Sequence, residues 1–457
     1  MSSARDKTPI ASQPETSARP SWRNSLDVYL QRRVLIVLLL GFASGLPLAL
    51  SGSTLLVWMR EAGVDLGTIG LFALVGTPYT LKFIWAPLVD ALHLPFFTRR
   101  FGRRRGWLIG AQLGLIVAIL LLALTDPARS PLAVALAALA VAAMSSTQDI
   151  VVDAFRVESL PESEQAAGMA SYVAAYRIGM LVSTAGALFL VSAIESTGIG
   201  RDSAWMWGYV AMAALVLIGT VTTLFATEPE QSARAEAATG SEAAFVRVMQ
   251  AAAGAFGEFL VRRDAFAALA FVVLFKFTDA FSGTMTAPFV IDLGFSRNDY
   301  AAIVKGVGLA ATLLGGFAGG FVARRYALGV SLLIGGVLQA VANLSFSWLA
   351  ISGVSQWALA FAITTENFTS AIGTVIFVAY LSALCRNPLH TATQYALLTA
   401  LAAVGRTYLS SGAGYVAKAT GWPLFFAICV VVALPSLMLL AWLQRRGHFD
   451  ELQADRP

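Results

Sequence analysis

Apolar runs separated by short polar stretches recur from residue 34 to residue 442 of a 457-residue chain. At least ten of them reach the roughly 20 residues needed to cross a bilayer as a helix. In hydrocarbon each peptide group must find its partner within the protein, which a helix achieves along its own length. The pattern predicts twelve helices, at about 34–58, 68–92, 107–124, 132–155, 166–194, 204–225, 265–291, 299–322, 329–351, 357–384, 394–416 and 423–443. Composition agrees: 57% of residues are hydrophobic and 13% charged, against about 25% charged in an ordinary soluble domain. The expected class is an all-α polytopic membrane protein.

Residues 1–33 are polar and rich in Ser, Pro and Arg, a disordered tail rather than a cleaved signal. An even number of crossings puts both termini on one side, and charge assigns that side. Of the 32 Lys and Arg residues, 22 fall on the side of the termini. Only Arg60, Arg129, Arg201, Arg297 and Lys418 fall opposite, and five more lie within spans. This excess predicts cytoplasmic termini. The basic loops are therefore orientation signals, and a nucleic-acid partner is excluded. The two cysteines, Cys385 and Cys429, sit in or beside apolar segments and read as buried thiols.

The longest loop, 226–264, begins as polar linker. From Ser241 it carries apolar residues at helical spacing, predicting an amphipathic helix on the inner membrane surface. It separates a first bundle at 34–225 from a second at 265–443, with a cytoplasmic tail at 444–457. Shifting the first half by 231 residues lays Ser51-Gly52-Ser53 on Ser282-Gly283-Thr284 and Gly63 on Gly294. A shift of 229 lays Gln165 on Gln394 and Arg177 on Arg406. Such near-equal offsets argue for internal duplication. Twelve transmembrane helices in two parallel six-helix halves is the major facilitator fold, in which substrate binds near the midplane between halves that rock.

The loop after the second span, "PLVDALHLPFFTRRFGRRRGW", resembles the facilitator signature in which an Asp ends helix 2 and a Gly-Arg-Arg run follows, here Asp90 and Gly102 to Arg105, with a longer spacer. "GFASGLPLAL" (41–50), "IGLFALVGTPYTLKFIWAPLVD" (69–90), "FGRRRGWL" (101–108), "TQDIVVDAF" (147–155) and "YRIGMLVS" (176–183) resemble the AmpG-type muropeptide permeases, throughout the first half and more weakly after residue 226. That resemblance, not composition, implies proton-driven import of GlcNAc-anhydroMurNAc and its peptides across the bacterial inner membrane for cell-wall recycling, a process tied to β-lactamase induction. The tail after the last span leaves no room for further C-terminal spans. A carrier of another anionic amphiphile, such as an acyl-nucleotide conjugate or a siderophore, is the alternative.

Nine ionisable residues lie mid-span: Lys82, Asp149, Asp153, Arg177, Lys276, Asp279, Lys305, Glu366 and Arg406. Each costs about 2.5–3.5 kcal/mol at a helix centre, so they are expected to face a wet cavity or pair with each other. Asp149 and Asp153 are four residues apart on one helix face, where like charges repel. Asp149, the deeper, is the expected proton carrier, with Glu366 next and Asp279 behind it. Asp153 is expected to gate the cytoplasmic side with Asp90, Arg103, Arg104 and Arg156, as facilitators commonly pair an acid at that place with the run after helix 2. Lys82, Tyr79, Trp58, Gln148, Arg177, Lys276, Asn367 and Arg406 are expected to contact a substrate rich in carboxylates and sugar hydroxyls. A local Lys276–Asp279 salt bridge and a structural role for the two arginines are the plainer readings. Gly45-Leu46-Pro47 is expected to kink helix 1.

An intramembrane hydrolase would need a carboxylate dyad from separate helices, and one i,i+4 pair does not supply it. No HExxH, GxSxG, Walker loop or Cys-His metal set is present, and His93, His390 and His448 lie at the cytoplasmic side. The expectation is a monomeric secondary transporter whose partners are a small glycopeptide, protons and lipid, with no cofactor or metal.

Overall fold

The computed structural model describes residues 27–92, 94–229, 264–385 and 391–454. The tail at 1–26, the proposed amphipathic helix, His93 and His390 lie outside them. Eleven helices among the described residues are long and apolar enough to cross a membrane: α1 (Arg32–Glu61), α2 (Leu66–Ile84), α3 (Arg103–Ala123), α4 (Pro131–Ser159), α5 (Ala167–Ser196), α6 (Arg201–Phe225), α7 (Ala265–Asp292), α8 (Arg297–Arg325), α9 (Leu328–Ser352), α10 (Gln356–Leu384) and, last in the chain, Trp422–Arg445. Between the last two runs α11 (391–420), so that Trp422–Arg445 is α12. The apolar count falls one short of twelve because α11 is polar and broken. It consists of Thr391–Tyr408, a 3-10 turn at Leu409–Gly412, and Ala413–Thr420, and it carries Arg406.

Within each half, glycines bring helices close, as small residues do in membranes. A Cβ on Gly45 would stand 2.1 Å from the Tyr176 carbonyl, and one on Gly315 would stand 2.2 Å from that of Phe368. These contacts seat α1 on α5 and α8 on α10. Gly319 also faces α10, whereas Gly316 and Gly320 meet nothing within 4 Å. The expected kink at Gly45 is corrected: the helix runs through Pro47 to Ala49 and breaks at a π-turn over 50–54, where Gly52 takes φ −105°, ψ −112°. Gly45 is small because Tyr176 lies against it.

The apolar core shows how the halves sit. At the end opposite the termini, one cluster joins both halves, running from Leu46, Trp58 and Trp205 to Phe289, Phe346 and Phe426. At the end bearing the termini, each half has its own core, around Val34, Leu108 and Phe155 in the first and Phe271, Tyr380 and Leu443 in the second. The halves are thus sealed together at one end and packed separately at the other. The last described residues fold back as a helix, His448–Ala454, with His448 Nε2 3.2 Å from the Tyr380 hydroxyl.

The seal is built from side chains near the loops. Arg297 grips Glu61 through two nitrogens, at 2.8 and 2.9 Å, and ion-pairs with Glu195 at 2.9 Å. Arg60 pairs with Asp292. Glu61 and Asp292 each also accept an indole N–H from their own half: Trp205 to Glu61 at 3.0 Å and Trp422 to Asp292 at 3.1 Å. Lys418 reaches Asp65 at 3.4 Å. Behind this rim Gly414 packs so tightly on α2 that a Cβ would lie 1.8 Å from the Leu66 carbonyl, and the hydroxyls of Thr80 and Thr407 meet at 2.9 Å.

Candidate functional site

Beneath the seal lies a cavity of about 600 Å³ between the halves, within the size range of small-molecule sites. Its first-half wall includes Ser51, Tyr79, Arg177 and Thr184; its second-half wall includes Asp279, Lys305, Glu366, Asn367, Arg406 and Thr407. The two helix breaks placed by the 231-residue offset both open onto it. One is the π-turn that carries Ser51 to Ser53. The other is the end of the Ala265–Gly283 segment of α7, which presents Gly283 and Thr284. A broken helix exposes backbone groups where a regular one would hide them, which is tolerated at membrane depth only against protein or a water-filled cavity.

The charges on this wall are unbalanced. Asp279 is satisfied by Lys276 at 3.1 Å and by the Ser370 hydroxyl at 2.7 Å, and Lys276 also donates to Thr374 at 3.0 Å. Glu366 accepts from the Asn367 amide at 2.9 Å, and Asn367 Oδ1 accepts from Thr312 at 3.2 Å. Arg177 and Arg406, the repeat-related pair, have no carboxylate within ion-pair distance among the described residues, so the ion-pair reading of them is not met there. Lys305 lies over the Tyr300 ring, 5.4 Å from its centroid. Three cations therefore face the cavity against one acid, Glu366, that lacks an ion-pair partner.

The "TQDIVVDAF" carboxylates sit apart from this cavity. Asp149 is 7% exposed, on the face of α4 turned toward α1 and α5. The charges acting on it are Lys82 and Asp153, and Lys82 acts on Asp153 as well. Lys82 opens a 3-10 turn in α2, Lys82–Ile84, and is absent from the cavity wall. Its charge lies near both aspartates.

Other sequence expectations are corrected. Trp58 is 3% exposed, with its ring 5.7 Å from Trp205 and 5.1 Å from Tyr209; it packs in the core that joins the halves and is absent from the cavity wall in this conformation. Gln148 is fully buried and donates to Ser44 at 3.2 Å, tying α4 to α1 rather than lining the cavity. The expected gate contact belongs to a closed terminus-bearing end, where the halves pack separately here, and in this conformation Arg104 does not meet Asp153. It forks onto Glu158 one turn further along α4, at 2.6 Å, while its backbone N–H and that of Arg105 donate to Glu228. Asp153 pairs with Arg156 at 3.7 Å, and the Arg156 guanidinium also covers the Tyr172 ring. Arg103 begins α3. Asp90 lies in the helix Ala86–Ala91, and its side chain is outside the described residues.

The rim that closes the far end was missed as a functional element. Its signal was present: Glu61 falls on Asp292 at the same 231 offset that pairs Gly63 with Gly294. Those glycines both turn the chain with positive φ, 81° and 96°.

Comparison with known proteins agrees with this architecture. The Major Facilitator Superfamily pattern matches residues 37–410. The chain is 39% identical over 416 residues to the anhydromuropeptide permease of Escherichia coli (strain K12), covering 91% of this chain and 80% of that one. It is 34% identical over 419 residues to a putative transporter, AmpG 4, of Rickettsia felis, covering 92% and 98%. Among solved structures it superposes on the nucleoside transporter NupG with a TM-score of 0.70 at 13% identity, covering 90% and 99%. On a D-xylose–proton symporter the score is 0.64 at 13% identity, covering 90% and 97%. These two likenesses concern the fold. The relatives are permeases and transporters, and this chain is a multi-pass transporter rather than an enzyme. It belongs to the Major Facilitator Superfamily and, within it, to the AmpG-type permeases.

Proposed function

We propose that the protein imports anhydro-muropeptides, a GlcNAc-anhydroMurNAc disaccharide with or without its peptide, by alternating access driven by a proton gradient across the bacterial inner membrane. The observation that carries this reading is the excess of cations on the central cavity. Arg177, Arg406 and Lys305 suit a ligand with several carboxylates, and Tyr79, Asn367 and the Ser and Thr hydroxyls suit sugar hydroxyls. The relative that is 39% identical takes its name from such a substrate.

In this reading the termini, the linker at 226–264 and the basic loops are cytoplasmic, by the positive-inside rule. The conformation described above is then inward-open, closed at the periplasm by the Glu61, Asp292, Arg60 and Arg297 rim. In the outward-open state Arg103 or Arg104 closes the cytoplasmic side against Asp153, with Asp90 and Arg156 completing the gate. Asp149 carries the proton, with Glu366 and Asp279 as second-half counterparts. A gradient can drive the cycle because protonation has a different free energy in the two states. The unit is a monomer, since one chain encloses the whole cavity.

Counterflow tests the substrate assignment without requiring a gradient. Proteoliposomes preloaded with unlabelled anhydro-disaccharide tripeptide should take up the labelled compound, and Arg177→Ala or Arg406→Ala should weaken that exchange. Equal exchange by wild type and by protein-free liposomes would end the assignment.

A further inference from the structure

Four buried oxygens on and beside α4 have no hydrogen-bond partner in the protein: Ser145 Oγ, Gln148 Oε1, Asp149 Oδ1 and Tyr79 Oη. Three belong to residues i, i+3 and i+4 of one helix, which places them on one face. The fourth comes from α2, whose Thr77–Leu81 segment packs on α4. Asp149, Ser145 and Tyr176 are the neighbours that act on the Tyr79 phenol. Ser145 and Gln148 are fully buried and Asp149 is 7% exposed. Leaving such a group unpaired is costly, so four in one place point to an occupant.

The donor and acceptor count defines that occupant. Ser145 and Tyr79 each bring an O–H to donate, while the Asp149 carboxylate and the Gln148 amide oxygen accept. One water takes two hydrogen bonds from the first pair and gives two to the second, which is the full complement of a buried water. Gln148 holds its orientation because its amide nitrogen is occupied by Ser44. Tyr79 belongs to the wall of the central cavity, whereas Asp149 does not.

Resting on the reading of Asp149 as proton carrier, we infer that Ser145, Gln148 and Tyr79 bind a water that relays protons between the central cavity and Asp149. The Tyr79 hydroxyl is buried in this conformation; when rocking exposes it to the cavity, a hydronium gives a proton to the Tyr79 oxygen as Tyr79 passes its own to the bound water. The water passes one to Asp149 Oδ1, so Tyr79 and the water are restored and one proton has moved. Release runs the same steps backward. The other groups facing Asp149 are Lys82 from α2, Asp153 from α4, and Tyr172 and Tyr176 from α5. Tyr79 is a positioning and relay residue here, and the relay makes proton loading depend on what occupies the cavity beside it.

The test compares two assays on purified protein in proteoliposomes, with labelled anhydro-disaccharide tripeptide as probe. Tyr79→Phe keeps the ring and removes the hydroxyl. It should lower accumulation driven by an inward proton gradient about tenfold or more. Ser145→Ala, which removes one donor from the water and lies off the cavity wall, should lower accumulation to a smaller degree while counterflow exchange stays within about twofold of wild type. Tyr79→Phe combined with Asp149→Asn should be no worse than Asp149→Asn alone, because groups in one relay are not additive. Undiminished accumulation by both Tyr79→Phe and Ser145→Ala, beside an Asp149→Asn that has lost it, would overturn the relay and leave the carrier standing. An equal loss of counterflow by Ser145→Ala would mean a general transport defect and also overturn the relay. Normal accumulation by Asp149→Asn would instead remove the reading on which the inference rests.

Discussion

Arg297→Met is the sharpest perturbation of the far-end seal. The Arg297 side chain is 7% exposed and its partner Glu61 is 11% exposed. Removing one member of a buried pair costs about 3–5 kcal/mol because the other charge is left uncompensated. Glu61 keeps the Trp205 indole bond and the Arg60–Asp292 pair persists, so the lower end, about 3 kcal/mol, applies. When the rim is open, Glu61 is hydrated and the loss is small. The penalty therefore falls on the sealed conformation and shifts the equilibrium toward opening by roughly 100-fold. Ser51→Cys, placed on the cavity wall in a background with Cys385 and Cys429 replaced, reports the shift through labelling by an impermeant maleimide from outside intact spheroplasts. Arg297→Met should raise the labelling rate about tenfold or more. Exchanging the charges, Glu61→Arg with Arg297→Glu, should restore only part of the seal because Glu195 would then face a carboxylate. A folded Arg297→Met variant labelled no faster than about twice its parent would show that this pair does not hold the far end closed.

Arg177→Ala and Arg406→Ala should each raise the KM for uptake by an amount equivalent to about 1.5–3 kcal/mol, the worth of a hydrogen bond to a charged group; initial rates over a range of probe concentrations check this. Gly414→Val should prevent the far end from closing, since even a Cβ there would meet the Leu66 carbonyl at 1.8 Å, and should increase labelling at Ser51→Cys while slowing uptake. Asp65 caps the start of α2, accepting from the backbone of Gly67 and Thr68 at 3.1 and 3.3 Å. The Thr68 hydroxyl, foremost, holds its carboxyl below the ordinary 3.8. A depressed acid stabilises the fold above its unfolded value and loses that effect as pH falls through its folded value. Asp65→Ala should therefore lower thermal stability by about 0.5–2 kcal/mol near neutrality, and the difference should fade below about pH 4.

Much of the fold was legible because membrane helices announce themselves by apolar length. The one span that composition undercounts, α11, is polar because it carries Arg406 and breaks at Leu409–Gly412 beside the cavity. The duplication offset located cavity elements that hydropathy could not: Gly52 with Gly283, and Arg177 with Arg406. What failed was the direction in which side chains point. Trp58 and Gln148 were legible as unusual residues, yet their rings and amides turn inward to Trp205 and to Ser44. Helical spacing fixes which residues share a face but not which neighbour that face meets. The seal escaped notice for another reason. Arg60 and Arg297 looked like stray charges in short loops, and only the packing of one half on the other brings them to Asp292 and Glu61.

The account rests on coupling between a proton gradient and movement of an anionic glycopeptide through the Arg177–Arg406 cavity. The measurement that tests it most directly is uptake of labelled GlcNAc-anhydroMurNAc tripeptide by proteoliposomes with an imposed inward proton gradient, with and without a protonophore. The account predicts accumulation above the external concentration that collapses when the protonophore is added and that Asp149→Asn cannot achieve. Uptake that only equilibrates, or that is indifferent to the gradient, would contradict it.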